Sequence, residues 1–367
     1  MTHSVDGDNV DSTSQSASHV STANPRVPTN IEEPVSAEEL AGDSHTFGQR
    51  VHELLHRQPA LSPGVVLVLA IIVFSFLSDK FLKAGNFSLV LQQMAFIGAL
   101  AVGQTLIILT AGVDLSIGAI MVLSSLVMTK LDHSDGVPGF IALLIGIVVA
   151  VVASTVNGIL VTRIKLPPFI VTLGTLSIYT AITLLYAQGQ TIQLAPGEFL
   201  LKTADTHSIG SLVLSNGVIL MVLLYIVVAF ALRYTAWGRH LYATGDDAEA
   251  SRLAGIQTDR VILSAYVVAG FAIAVAAWIL VGRVAGGDPN SGTNANLLSI
   301  TAVVIGGTSL FGGRGLVVGS LIGALIVQVF NNGLALAGYD PQYQVLATGV
   351  LVIVAVSVDQ WIRRVKA

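Results

Sequence analysis

Long apolar stretches separated by short polar turns organise the chain from residue 61 onward. They fall near 61–79, 89–111, 115–131, 138–160, 168–188, 212–232, 261–282, 298–312, 315–336 and 343–360. A hydrocarbon core of about 30 Å needs about 20 apolar residues, each rising about 1.5 Å, so most of these stretches are long enough to cross a membrane as helices. The third and eighth are short, and Gly interrupts several. Two counts stay open: ten crossings, or eight if the Gly-rich pairs are re-entrant. The pattern predicts an all-α integral membrane protein of about ten helices, with broken or re-entrant Gly-rich segments. The membrane domain runs from 59 to 367.

Composition agrees with that pattern. Of the 367 residues, 53% are hydrophobic and 11% charged, and the mean hydropathy is +0.77. A water-soluble globular chain carries about 25% charged residues, so a soluble enzyme or secreted domain is excluded. The sequence has no Cys, which excludes disulfides, thiolate metal sites and a thiol nucleophile. Residues 1–58 hold nine acids against three bases; the rest holds thirteen acids against fifteen bases. Neither part is basic enough to suggest nucleic acid as a partner.

The first 44 residues are rich in Ser, Thr, Asp, Asn, Pro and Glu. Such a segment buries too little apolar surface to offset its ordering entropy, so 1–58 is expected to be a disordered cytoplasmic tail ending in an interfacial amphipathic helix. It lacks the basic and apolar regions of a signal peptide. His52-Glu53-Leu54-Leu55-His56 matches H-E-x-x-H, the pattern of a catalytic zinc site. A third protein ligand is required, and residues 57–78 contain no Asp, Glu or His. The motif is therefore assigned to the membrane-surface helix, with Arg50 and Arg57 toward lipid headgroups.

Ten crossings from a cytoplasmic N-terminus place thirteen bases inside, from Arg26, Arg50 and Arg57 through Arg163, Lys165, Arg233, Arg239, Arg252, Arg260 and Arg314 to Arg363, Arg364 and Lys366. Lys80, Lys83, Lys130, Lys202 and Arg283 fall outside. By the positive-inside rule this split puts both termini in the cytoplasm.

Polar residues recur at membrane depth: Gln92, Gln93, Gln104, Asn157, Thr172, Thr175, Tyr179, Gln328, Asn331 and Asn332, near Phe96, Phe169 and Phe311. Polar groups in hydrocarbon are costly unless they face protein or a wet path. Amides and hydroxyls match sugar hydroxyls, and aromatic faces cover the C–H faces of a sugar ring. Gln104, Thr105, Asn157, Phe169, Thr172 and Tyr179 are the expected translocation pathway. Gly315, Gly319 and Gly323 repeat every four residues and mark a close helix–helix contact, within one subunit or between two. Asp114 before Leu115-Ser116-Ile117-Gly118 echoes Arg314 before Gly315 and Leu316-Val317-Val318-Gly319, suggesting two broken-helix turns on one side of the membrane. The Asp114 carboxylate is expected to accept backbone N–H groups where a helix begins at Leu115.

Transport needs a source of free energy. No Gly-Lys pair occurs, so a phosphate-binding G-x-x-x-x-G-K-[ST] loop is absent and any ATPase is a separate subunit. A proton-coupled carrier keeps carboxylates or His within its spans; Asp114 is the one candidate here, which leaves a secondary carrier as the alternative reading. The cytoplasmic loop 233–260 suits an external motor. Thr244 and Asp247 form a capping-box-like start, Asp246, Asp247 and Glu249 supply negative charge to a helix N-terminus, Arg252 lies near its end, and Gly255 can close it. A slim helix over 245–254 follows, with Ala248, Ala250, Ser251 and Ala254 able to seat in a partner's groove.

Four ordered stretches carry a resemblance: 103–118 (GQTLIILTAGVDLSIG), 157–174 (NGILVTRIKLPPFIVTLG), 237–256 (WGRHLYATGDDAEASRLAGI) and 300–315 (ITAVVIGGTSLFGGRG). From residue 60 onward the chain resembles the permease subunits of bacterial ABC importers for monosaccharides, the ribose, xylose, arabinose and fructose class. Its ending, Val358-Asp359-Gln360-Trp361-Ile362-Arg363, looks most like fructose-type members. The resemblance implies a multi-pass inner-membrane homodimer, two ATP-binding subunits that hold the ATP and Mg, and a periplasmic sugar-binding protein. It leaves no catalytic, metal or cofactor site on this chain. It places coupling at Gly238, Arg239, Gly245, Ala250 and Gly255, to which the loop chemistry adds Asp247, Arg252 and Ala254. Asp246-Asp247 departs from the Gly-Asn common in the family, and Asn296 from a common Glu. Another small polar solute carried by the same machinery is the remaining alternative.

Overall fold

The computed structural model describes residues 61–292 and 294–364. The acidic tail 1–58, its interfacial helix and the His52–His56 motif lie outside the described residues. Helices occupy the ten apolar stretches: α1 (Leu61–Leu77), α2 (Ala84–Leu109), α3 (Ile117–His133), α4 (Gly139–Thr162), α5 (Pro168–Ala187), α6 (Asn216–Tyr234), α9 (Thr258–Val284), α10 (Ala295–Ile305), α11 (Val317–Leu336) and α12 (Pro341–Arg364). Two short helices, α7 (Ala236–Asp246) and α8 (Ala248–Leu253), fill the loop between α6 and α9. Between α5 and α6 lie a short strand β1 (Ile192–Gln193), a 3-10 turn (Phe199–Thr203) and an antiparallel hairpin of β2 (Thr206–Ile209) and β3 (Leu212–Ser215). Strand β4 (Gly286–Gly287), just after α9, pairs with β1.

Among the described residues, six helices are long and apolar enough to cross a bilayer: α2, α4, α5, α6, α9 and α11. The expected span at 298–312 is shorter than the sequence suggested. α10 has 11 residues, about 16 Å of helix, because Gly306 and Gly307 end it and Gly307 turns at φ +84°.

Two central helices organise the rest. The most apolar windows of α2 and α9 are 78% and 72% buried, against 33%, 28% and 33% for α4, α5 and α6. Helices α4, α5 and α6 therefore turn large apolar side chains outward, as a lipid-facing ring does. Lipid gives apolar side chains no reason to leave it, so contact between helices rests on small residues and polar groups. At α4–α9, a Cβ on Gly270 would lie 2.7 Å from the Val151 Cα, one on Gly158 would lie 2.9 Å from the Tyr266 Cβ, and Ser154 Oγ donates to the Tyr266 carbonyl at 2.7 Å. The Gly315, Gly319 and Gly323 stripe makes its contact within the subunit. A Cβ on Gly319 would overlap the carbonyl oxygen of Gly306, and one on Gly323 that of Ala302, so α11 lies backbone to backbone on α10.

The helices form two copies of one arrangement. The series α2, α3, α4, α5 packs as α9, α10, α11, α12 does: α4 lies on α9 as α11 lies on α2, and α3 sits between α4 and α5 as α10 sits between α11 and α12. Each series opens with a long helix, of 26 and 27 residues, followed by a non-Gly residue in the left-handed region, Ala111 at φ +59° and Ala285 at φ +53°. This corrects the expected echo. The break containing Asp114 corresponds to the segment around 285–294, not to the Arg314 turn, which joins α10 to α11. The two turns do share one end of the molecule, since Gly313 N–H donates to the Leu109 carbonyl at 3.0 Å. The hairpin occupies the other end.

Candidate functional site

A cavity lies at the hairpin end, between α2 and α11. Its volume is about 500 Å³, and Asn86, Gln93 and Phe96 of α2 face Gln328, Asn331 and Asn332 of α11 across it. Leu298 of α10, Gln344 of α12 and Arg283 at the end of α9 complete the wall. Helical periodicity explains the set: Asn86 and Gln93 are two turns apart, and Gln328, Asn331 and Asn332 stand at i, i+3 and i+4 on one face. Asn86 and Asn332 exchange two side-chain hydrogen bonds of 2.9 Å each, and Gln328 Nε2 donates to Gln93 Oε1. Further along the same seam the Thr105 and Ser320 hydroxyls meet at 2.6 Å. The Arg283 guanidinium lies 6.0 Å from the centre of the Phe96 ring, and among the described residues no carboxylate lines the cavity. Neutral amides, one aromatic face and one guanidinium can bind a neutral polyhydroxyl solute, and the volume falls within the range of about 300–1,000 Å³ typical of small-molecule sites.

A second polar cluster lies in the break between α2 and α3. Asp114 is fully buried; its Oδ1 accepts from the Ser116 backbone N–H and hydroxyl at 2.7 Å each. Asn157 Nδ2 donates to Ser116 Oγ at 2.8 Å, and Thr172 Oγ1 donates to the Val113 carbonyl at 3.1 Å. The helix begins at Ile117, two residues later than expected, because Asp114 holds Ser116 outside it. Asn296 reaches the same break, donating to the Leu115 carbonyl at 3.3 Å.

Of the expected pathway residues, none lines the cavity. Asn157 and Thr172 belong to the buried break. Thr105 sits in the α2–α11 seam, while the Tyr179 hydroxyl donates to the Ala153 carbonyl at 3.0 Å. Phe169 is 55% exposed on the outer ring. Gln104 is fully buried, and among the described residues neither end of its amide has a partner. Sequence reasoning missed Asn86 and took Arg283 for a loop base. The signal that finds the cavity is the amide stripe at helical spacing on α11.

The loop between α6 and α9 differs from expectation in its helix boundaries. Thr235 ends α6 and caps α7, accepting from Gly238 N–H at 3.3 Å. Asp247, not Thr244, caps the following helix: its Oδ1 accepts from the backbone N–H groups of Glu249 and Ala250 at 2.9 Å each. Helix α8 thus starts at Ala248, and Gly255 follows it at φ +89°. Gly245 is at the end of α7 and buried; a Cβ there would overlap the Leu109 carbonyl and lie 2.7 Å from Gly313 N. Its small size serves an internal junction. Gly238 is likewise pressed on the Leu232 backbone. Ala250, Arg252, Ala254 and Arg239 are exposed. Arg252 donates to Glu249 at 2.6 Å, and that bond with the adjacent carboxylate pushes the guanidinium further up from its ordinary value. Exposed Arg314 stands beside the same junction.

Comparison with known proteins adds to the geometry. The family model described as branched-chain amino acid transport system / permease component matches residues 86–356. A fructose import permease protein of Rhizobium meliloti is 47% identical over 89% of this chain and 92% of its own. A ribose import permease protein of Bacillus subtilis is 38% identical over 82% of this chain and 92% of its own, and a D-allose transport system permease protein of Escherichia coli is 32% identical over the same shares. No solved structure matches. The apolar helices, the cavity at one end and the exposed loop at the other thus belong to a transport component: the chain is a member of the ABC-importer permease family.

Proposed function

We propose that this permease moves a monosaccharide, fructose first among candidates, through the cavity between α2 and α11 by alternating access. The observation that carries the reading is the cavity wall of six amides, Phe96 and Arg283 with no carboxylate among the described residues, which matches a neutral polyol and gives an amino acid's ammonium group no countercharge. The sugars named in the relatives point the same way. Ten passes, with both termini in the cytoplasm of a bacterial inner membrane, follow from the charge split; the hairpin end then faces the periplasm and its sugar-binding protein.

On the cytoplasmic side, the exposed surface of α7 and α8, with Arg239 on α7, Ala250 and Arg252 on α8 and Ala254 just beyond it, docks a separate ATP-binding subunit that holds ATP and Mg. Two copies of the chain form the assembled importer. Asp247 and Gly255 fix the bounds of α8, and Gly238 and Gly245 seat α7 beneath it. Asp114, Asn157 and Thr172 hold the break of α3 in place. The ligand can drive the cycle only through different affinities for the outward and inward states.

The test is uptake by the complex with its ATP-binding and sugar-binding subunits in liposomes. ATP-dependent accumulation of fructose or ribose, not displaced by leucine, is expected; accumulation of leucine alone contradicts the proposal. Ala250→Trp, on an exposed position, is expected to abolish ATP-driven uptake while leaving the melting temperature of the permease unchanged.

A further inference from the structure

We infer that the α2–α11 seam is a gate at the hairpin end of the pathway, held by the Gln93–Gln328 and Asn86–Asn332 amide pairs and worked from the interlocked turns at Leu109, Gly245 and Gly313. The inference rests on the importer reading above and names the moving part within it.

Both helices of the seam end at one junction. The last carbonyl of α2, on Leu109, accepts Gly313 N–H at 3.0 Å, and α11 starts four residues beyond Gly313. The loop between α6 and α9 is pressed onto both. Gly245 packs on the Leu109 carbonyl, a Cβ on Gly313 would lie 2.6 Å from the Asp246 Cα, and Tyr242 hydroxyl donates to the Gly315 carbonyl at 2.8 Å. A push on α8 therefore reaches the feet of α2 and α11 through backbone contacts with no slack. From Leu109 to Asn86 is about 35 Å of helix, so a tilt of about 5° moves the Asn86 end by about 3 Å, enough to part a hydrogen bond.

The chemistry of the seam suits reversible opening. Amide pairs can exchange each other for water or sugar hydroxyls without leaving a buried group bare. In the corresponding seam, α4 on α9, Gly270 and Ser154 meet backbone and Gly158 meets the Tyr266 and Leu263 side chains, so the helices cannot slide without collision.

The chain has no native Cys, which allows a direct test in the assembled transporter. Gln93→Cys with Gln328→Cys is treated with a short bifunctional thiol reagent, and the cross-linked peptide is measured by mass spectrometry. The measurement compares the nucleotide-free complex with one trapped by ATP and vanadate. The expected result is a several-fold change in yield between the two states, abolished by Gly313→Ala at the junction. Asn86→Cys with Asn332→Cys reports the same change should the first pair fail to assemble. Lys165→Cys with Asp259→Cys, at the foot of α4 and α9, should give equal yields in both states. Equal yields for the seam pairs, or an equal change in the control pair, overturn the gate. A complex that hydrolyses ATP but carries a solute other than sugar leaves this outcome readable, so the gate and the substrate assignment fail separately.

Discussion

The seams α4–α9 and α2–α11 occupy equivalent places in the two helix series but are built from different chemistry. In α4–α9, Gly270 meets backbone, Gly158 meets the Tyr266 side chain, and one hydroxyl meets a carbonyl. In α2–α11, amides meet amides beside a cavity of about 500 Å³. One arrangement therefore yields two mechanical parts. Small residues in a membrane give close, directional packing that resists sliding. Side-chain amides give contacts that can be remade with a solute. The polar wall needs α2 to be buried in the centre of the molecule, and the rigid seam holds α9 beside it.

The contrast can be broken most severely at Gly270. Gly270→Leu must force α4 from α9, at a cost above about 3 kcal/mol, and the variant is expected to be lost from the folded peak in size-exclusion chromatography. Asn157→Leu comes next. It removes the bonds to Ser116 and Asp114 at the break, with an expected loss of about 1–3 kcal/mol in stability. Thermal unfolding should show that loss while the sugar preference of residual uptake is unchanged; an altered preference would return Asn157 to the pathway.

Gln328→Leu should behave in the opposite way. The folded protein keeps its melting temperature, and uptake falls about tenfold, equivalent to about 1.4 kcal/mol at the transition state. The smallest effect is at the foot of the rigid seam, where exposed Lys165 and Asp259 pair at 2.6 Å. Lys165→Ala should cost about 0.5 kcal/mol or less and vanish in high salt, read by the same melting assay.

Much of the fold is legible in the sequence because hydropathy sets helix position directly. The stretch expected at 168–188 is α5 at Pro168–Ala187, where Pro168 starts the helix with φ already suited to it. The shortened α10 is hidden because hydropathy runs on through Val303–Ile305 and Leu310–Phe311, while the turn at Gly306-Gly307 depends on backbone contact with α11. Thr244 and Asp247 both satisfy the local rules for a helix cap, and the choice is made by Gly245, which must tuck beneath Leu109. The cavity escapes for a related reason. Asn157 and Gln328 look alike along the chain, and their different roles depend on partners 41 and 235 residues away. The spacing of Gln328, Asn331 and Asn332 was the available clue.

The most direct measurement is solute protection inside the cavity. Asn331→Cys gives the chain its only thiol, accessible to a membrane-impermeant maleimide from the hairpin side. During ATP-driven turnover with the sugar-binding protein present, transported sugar should slow labelling at 331 several-fold and leave a thiol at Ile209→Cys, exposed on the hairpin, unaffected. Labelling at 331 that is indifferent to sugar would contradict the assignment of the pathway to the α2–α11 cavity.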